Sequence, residues 1–246
     1  MTTDAPILRV EGLTRRFGGV RAVDNLSCVV NPREILGLIG PNGAGKSTMF
    51  NLISGFLKPT SGRVYFNEHR IDGMSSAAIG RRGLVRTFQH DSLFKGLSVI
   101  DNVLVGATIA ARGKNERQAI AAKTLEMFGL GEFEGELGGK LPHGYQRLLS
   151  MAIAYAARPK LLCLDEPLTG LNQPETARVL ATIRRLRTEE GLSVLFVEHN
   201  TRAVMSLCDR IVVINQGRHL AEGTPAEIVQ NPAVIEAYLG KAAVHA

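Results

Sequence analysis

Long apolar runs are missing from this 246-residue chain. No stretch approaches the ~18 consecutive apolar residues that a bilayer-crossing helix needs, and the N-terminus has no basic-then-apolar leader. The expectation is a protein that neither spans a membrane nor is exported, although it could still dock onto a partner that spans one. Cysteine is scarce: Cys28, Cys163 and Cys208 are odd in number, far apart and mostly set in apolar strings. That pattern argues against a disulfide framework or a cysteine metal site and fits reduced core residues of a cytosolic protein. Charge of one sign is never concentrated either. Lysine plus arginine number 29 against 23 acids, a net charge of +6, yet Arg15, Arg16, Arg81, Arg82, Arg184, Arg185 and Arg187 are scattered. The balance suits anionic partners such as nucleotides, while the scatter reads as solvated surface and not as a nucleic-acid patch. Internal repeats and low-complexity linkers are also lacking, so the length is expected to form one large domain with ordered interior.

What is present alternates. ILRVEGLTRRF, LSCVV and EILGLIG read as strands, KSTMFNLISGF as a helix ended by Gly55 and Pro59, RVYFNEHRI as a short hairpin and GLVRTFQ as a strand. Between about Val99 and Leu130 the chain turns alanine-rich, with apolar residues three and four apart, and predicts two helices. Strands resume at KLLCLDE, LSVLFVEH and RIVVINQ, separated by helical ETARVLATIRRLRTEE and TRAVMSLC, before a tail of proline-started helical turns. Alternation of this kind predicts an α/β core with parallel strands. An all-helical insert is expected to split it, giving a core of residues 1–89 and 159–246 and a helical unit of residues 90–158.

GPNGAGKST, from Gly40 to Thr48, matches the phosphate-binding pattern G-x-x-x-x-G-K-[ST] in full. Gly40, Gly43 and Gly45 are expected to reach backbone conformations closed to other residues, letting successive N–H groups of the loop converge on phosphate oxygens. The helix starting near Lys46 adds its positive end, Lys46 a full charge for the outer phosphates, and Ser47 a hydroxyl for Mg²⁺. A strand precedes the loop and a helix follows, as the motif requires. A GTPase would need an N-K-x-D base-recognition motif, which the sequence lacks.

LLCLDEP puts Asp165 and Glu166 at the end of a continuous apolar strand. An acid there can hold Mg²⁺, and an adjacent glutamate can face the attacking water as general base. VLFVEHN repeats the geometry with His199 just past its apolar run, and parallel strand ends gather on one edge. His199 is thus expected near the γ-phosphate. Gln89, between the core and the insert, is a candidate for touching Mg²⁺ or the water.

Taken together, these motifs resemble the nucleotide-binding subunit of ATP-binding cassette (ABC) transporters across nearly the whole chain. Gly40–Thr48 matches Walker A, Gln89 the Q-loop, LPHGYQ the signature, LLCLDE Walker B, TGLN (Thr169–Asn172) the D-loop and His199 the H-loop. The resemblance implies a P-loop ATPase core, a mixed sheet with an antiparallel β subdomain, and an inserted α-helical subdomain. It implies ATP and Mg²⁺ as cofactors, with Phe17 stacking on adenine and Walker A residues Gly40, Pro41, Asn42, Gly43, Ala44, Gly45, Lys46, Ser47 and Thr48 on the phosphates. It gives Glu166, His199, Lys46 and Gln89 catalytic roles and Ser47, Gln89 and Asp165 the metal.

More narrowly, GLVRTFQHDSLFKGLSVIDNVLVGA, TGLNQPET and EGTPAEIVQNPAVIEAYLG are similar to the ATPases of branched-chain amino acid importers, the LivG type. Membership implies a peripheral subunit on the cytoplasmic face of the bacterial inner membrane. Its expected partners are a second ATPase subunit (a heterodimer, with a homodimer as the alternative in isolation), two permeases and, indirectly, a periplasmic binding protein, with no nucleic acid. Solutes across that family include other amino acids, urea, amides and aromatic acids.

The signature departs from the usual Leu-Ser-Gly-Gly-Gln. Pro142 removes a hydroxyl and a backbone donor, His143 and Tyr145 replace a glycine and the glutamine, and Gly144 stays. Leu141, His143, Gly144, Tyr145 and Gln146 are expected to meet the ATP of the partner subunit, as are D-loop residues Gly170, Leu171 and Asn172 to lie at that interface, with Asn172 bonding as a neutral amide. Three readings of LPHGYQ stand: a modified working signature, a degenerate site paired with a stronger one, or a bare helix start. Two further functional readings compete with the importer engine: a soluble ABC ATPase acting on DNA or ribosomes, and a weakly or non-catalytic ATP-binding partner.

Overall fold

The computed structural model describes residues 5–87 and 93–239. In chain order the elements are β1 (Leu8–Phe17), β2 (Val20–Val30), β3 (Ile35–Ile39), α1 (Lys46–Ile53), β4 (Ser61–Phe66), β5 (His69–Arg70), α2 (Ser76–Arg81) and β6 (Leu84–Arg86). They continue with α3 (Val99–Ala110), α4 (Lys114–Phe128), α5 (His143–Ala156), β7 (Leu161–Asp165), α6 (Gln173–Glu190), β8 (Ser193–Val197) and α7 (Thr201–Leu207). The tail adds β9 (Arg210–Asn215), β10 (Arg218–Gly223), α8 (Pro225–Gln230) and α9 (Pro232–Leu239).

Two sheets form. The six-stranded one runs β10-β9-β3-β8-β7-β6, parallel from β9 to β6 with β10 antiparallel at the edge; the four-stranded one, β2-β1-β4-β5, is wholly antiparallel. Every residue of β3, β7 and β8 is buried, so these strands show apolar runs and no inside–outside alternation. Alternation reappears as a choice of core. Ile35, Ile39, Leu162, Leu164, Val194, Phe196, Ile211 and Val213 face one cluster with α5, α6 and α7, which extends into α3 and α4. Leu36, Leu38, Leu161, Cys163, Leu195, Val197, Val212 and Ile214 face the other, with α1 and the antiparallel sheet. The sheet is therefore sandwiched, the arrangement that buries both faces of parallel strands.

The alanine-rich region forms α3 and α4, which pack on each other and on α5. Gly106 allows the tight approach: a Cβ there would meet the Ile153 carbonyl oxygen at 2.1 Å. The RVYFNEHRI hairpin turns at Asn67 and Glu68, both at positive φ, as a two-residue turn between β4 and β5 requires. The strand expected at GLVRTFQ is shorter, ending at Arg86. Helix α2, capped by the Ser75 hydroxyl accepting from the Ala78 amide, and strand β10 were not anticipated.

Candidate functional site

Parallel order brings three strand exits to one edge. β8 lies between β3 and β7, with Leu38 level with Val197 and Asp165 level with Val197. The phosphate-binding loop leaves β3, the acids leave β7, and Glu198 with His199 leaves β8.

The loop's glycines serve two different purposes. Gly43 (φ 78) and Gly45 (φ 102) occupy the left-handed region, as expected. Gly40 is not among the positive-φ residues, which corrects the expectation for it. It is needed for close approach instead, because a Cβ would lie 2.1 Å from the Ile214 carbonyl oxygen. A Cβ on Gly45 would lie 2.3 Å from the Ala22 carbonyl oxygen. Helix α1 starts at Lys46 directly behind Gly45. Lys46 is buried, and its Nζ donates to the Gly40 carbonyl at 2.6 Å and the Pro41 carbonyl at 3.0 Å. Desolvation lowers the pKa of this ammonium, and the Glu166 carboxylate offsets part of the fall. Ser47 is exposed beside it.

Asp165 is buried at the end of β7, and its Oδ2 accepts from the Arg86 guanidinium at 2.7 Å. Burial raises its pKa even against that cation. Glu166 follows at φ 46, an unusual conformation for a non-glycine residue, held by its amide donating to the Val197 carbonyl at 2.9 Å. The His199 Nδ1 stands 3.9 Å from Glu166 Oε2, close enough for electrostatic contact though beyond hydrogen-bond reach, and the histidine side chain is 57% exposed. Gln89 lies outside the described residues.

A metal would find hard oxygen donors here. Among the described residues no cluster of three or more His, Cys, Asp or Glu could hold an ion. One hydroxyl (Ser47) and one carboxylate (Asp165) fit magnesium, which takes few protein ligands and draws the rest from phosphates and water.

Phe17 ends β1 at a two-residue glycine turn and is 45% exposed, with the Arg15 guanidinium 4.7 Å from its ring centre. An aromatic face is thus open to solvent on that hairpin.

The signature turn opens α5, with Pro142 at its N-cap. Leu141 is buried, and the Gln146 amide nitrogen donates back to the Leu141 carbonyl at 2.8 Å. Tyr145 packs inside its own subunit, 4.6 Å from the Phe133 ring and 4.5 Å under the Arg178 guanidinium. The Gly144 amide donates to Glu175 Oε1 at 3.0 Å. His143 is exposed, and a Cβ on Gly170 would lie 3.2 Å from its Nε2, so signature and D-loop touch. Asn172 caps α6: its Oδ1 accepts from the Glu175 amide at 2.9 Å while Glu175 Oε2 accepts from the Asn172 amide at 3.0 Å. The carbonyl half of its side-chain amide is therefore used internally.

Sequence reasoning passed over Arg86, Glu175 and Glu198. The last is 1% exposed, and a carboxylate closing an otherwise apolar strand is itself a signal, since such groups are almost never fully buried unless paired.

A phosphate loop, a paired acid and a histidine converging on one edge of a sheet, with a helical insert carrying a glycine turn, define a P-loop ATPase of the cassette type. The comparisons agree. The ABC transporter family model matches residues 23–169, and that of the branched-chain amino acid ATP-binding cassette transporter matches residues 218–244. The chain is 45% identical to the high-affinity branched-chain amino acid transport ATP-binding protein BraF of Pseudomonas aeruginosa, over 96% of this chain and 99% of that one. It is 42% identical to LivG of Escherichia coli K12, with the same coverage of both chains. A crystal structure of an ABC transporter cassette in its ADP conformation superposes with a TM-score of 0.86 at 30% identity, covering 96% of this chain and 100% of that one. The chain belongs to the ABC transporter ATP-binding family, in its branched-chain amino acid branch, and is an ATPase.

Proposed function

We propose that this chain energises an importer for branched-chain or related amino acids from the cytoplasmic face of a bacterial inner membrane. No helix among the described residues is long and apolar enough to cross a membrane, so permeases would have to supply the path. Partner subunits follow from the same reading: two permeases, a second and different ATPase, and indirectly a periplasmic binding protein. A cleft of about 380 Å³ between the core and the insert supports permease docking, since exposed Phe56 and Ile109 line it together with Ser76 and Arg81. Residues 90–158 would move as the helical unit against the core of residues 1–89 and 159–246.

In this reading Phe17 stacks on adenine and the loop from Gly40 to Thr48 cradles the phosphates. Lys46 exchanges the Gly40 and Pro41 carbonyls for phosphate oxygens. Ser47 and Asp165, with Gln89, would hold Mg²⁺, which supplies charge neutralisation on the phosphates. Glu166 accepts a proton from the attacking water, and His199, beside it, orients that water against the γ-phosphate. Partner contacts would come from the His143 side chain and from the His143 and Tyr145 amides at the start of α5, since the Gly144 amide donates to Glu175 and the Gln146 amide to the Pro142 carbonyl. Leu141, Gly144, Tyr145 and Gln146 would shape that turn from behind, and Gly170, Leu171 and Asn172 would line the interface.

The observation that carries the proposal is the meeting of Lys46, Glu166 and His199 at adjacent strand exits. Its test is steady-state ATP hydrolysis by Glu166→Gln. Loss of a general base lowers turnover by about 10²–10⁴-fold with ATP still bound. Near-normal turnover would remove Glu166 from the role.

A further inference from the structure

We propose that Glu198 is a positioning residue for hydrolysis: its buried carboxylate ties the exit of β7 to the exit of β8 and thereby sets His199 against Glu166. The inference rests on the reading above, in which those two residues act at the γ-phosphate.

Glu198 is the first residue after β8, a strand otherwise built of SVLFV, and it is 1% exposed. Its Oε1 accepts from the Leu168 amide at 2.8 Å, two residues beyond Glu166. Its Oε2 accepts from the His199 amide at 3.1 Å and from the Asn200 amide at 3.4 Å, and stands 3.8 Å from the His199 ring nitrogen Nδ1. One carboxylate thus fixes the backbone on both sides of the catalytic pair. An ionised carboxylate taken out of water is tolerated only when its oxygens are bonded, and here the bonds run to amides of two different loops. From α5 the Arg147 guanidinium donates to the Thr169 carbonyl at 3.3 Å, one residue beyond Leu168. The helix that opens with the signature turn is therefore joined to the same knot.

A catalytic role for Glu198 itself is disfavoured because both of its oxygens are already taken by backbone amides of the two loops. A purely structural role is the competing account, and it makes a different prediction. Loosening the whole fold lowers stability and disturbs ATP binding and turnover together. Loosening only the Glu166–His199 alignment lowers kcat while the phosphate loop, which leaves the neighbouring strand β3 and takes part in none of the Glu198 hydrogen bonds, keeps its affinity.

The experiment compares full-chain wild type, Glu198→Ala, Glu198→Gln, His199→Ala and the Glu198→Ala/His199→Ala double variant. Folding is followed by circular dichroism, ATP affinity by a fluorescent ATP analogue, and turnover by phosphate release at saturating Mg-ATP. Misplacing a reacting group by about 1 Å costs on the order of 10²-fold, so Glu198→Ala should lose about 10–100-fold in kcat with KM within about threefold of wild type. Glu198→Gln keeps one acceptor oxygen and should recover part of the loss. The double variant should be no slower than His199→Ala alone, because both changes act through one alignment. Turnover of Glu198→Ala within twofold of wild type, while His199→Ala is impaired, overturns the inference and leaves the proposed function standing. Equal losses in KM and kcat, or losses that multiply in the double variant, overturn it as well. Normal turnover in His199→Ala instead removes the reading on which it rests. If Glu198→Ala does not fold, Glu198→Gln decides by the same kcat-against-KM split.

Discussion

Replacing Arg86 by methionine removes the cation facing Asp165 while keeping most of the arginine's apolar stem. The two side chains are 10% and 6% exposed and their charged atoms stand 2.7 Å apart. The same guanidinium donates to Asn51 Oδ1 at 2.5 Å and to Ser54 Oγ at 3.2 Å, and it lies 4.9 Å from the Phe50 ring centre. Removing one partner of such a buried pair costs about 3–5 kcal/mol. Protonation of the orphaned acid sets a ceiling: at pH 7 it costs about 1.4 kcal/mol for each of the ~3 pH units above an ordinary aspartate pKa, about 4 kcal/mol in all. The expected loss at pH 7 is therefore about 3–4 kcal/mol.

The sign of the pH dependence follows. Burial already raises the Asp165 pKa, with Arg86 pulling against it. An acid raised on folding binds a proton in the folded state, so its penalty is absent below the unfolded pKa, grows as pH rises through the interval, and is full above the folded pKa. Without Arg86 the interval widens upward, and the deficit of Arg86→Met should shrink to about 1.5 kcal/mol at pH 5. Arg86→Met/Asp165→Asn, which removes both charges, should return to within about 1 kcal/mol of wild type, since a buried pair is often no better than its neutral replacement. Urea denaturation followed by circular dichroism, in EDTA and without nucleotide, measures all of these. A deficit below 1 kcal/mol at pH 7, or one that does not change with pH, would refute the reasoning.

Two further outcomes are expected. Burial pushes the thiols of Cys28 and Cys163 up to about 12, and Cys208 is raised as well. At pH 8 only about one such thiol in 10⁴ is ionised, so Ellman's reagent should titrate none of the three in the native chain and all of them in urea. Fast native labelling of any one would show its site to be open. In the phosphate loop, Gly43→Ala should cost only backbone strain of about 1–2 kcal/mol, since nothing lies within 4 Å of the added Cβ. Gly45→Ala adds an overlap with the Ala22 carbonyl and should lose about 1–3 kcal/mol more, together with binding of a fluorescent ATP analogue. Equal behaviour of the two variants would mean that conformation alone matters at both glycines.

Legibility in the sequence followed local chemistry. GPNGAGKST could be read because its geometry is set within nine adjacent residues, and LLCLDEP because a fully buried strand needs an unbroken apolar run that ends where water begins. The sandwiching of the sheet was implicit in those runs, but which core each residue faces depends on partners far along the chain, as with Leu36 against Ile35. Strand β10 escaped because Arg218–Gly223 is an edge strand with half of its residues exposed and no apolar run, and the turn before it (Gln216 and Gly217, both at positive φ) carries the only local sign of a hairpin. Glu198 and Arg86 escaped for a different reason. Each sits inside a quoted motif, but its partner lies 30 residues or more away: Leu168 for the first, Asp165 for the second. Spacing cannot show a contact that only the sheet order creates.

That order also explains why the antiparallel sheet is more than an appendage. The hairpin of β1 and β2 carries Phe17 at its turn, and five residues later the Ala22 carbonyl closes on Gly45. The Gly217 amide donates to the Ala44 carbonyl at 2.9 Å, and the Asp24 amide to the Gly217 carbonyl at 2.8 Å. Arg218 then clamps the same corner by donating to Asp24 Oδ2 at 2.7 Å. The phosphate loop is thus held from outside by both β2 and the β9–β10 turn. The aromatic at one end of the hairpin and the amide cradle at the other are parts of one hydrogen-bonded unit. Adenine and phosphates would meet surfaces whose separation is set by the Gly18–Gly19 turn and the first three residues of β2, so a nucleotide of the right length finds both without ordering a loop between them.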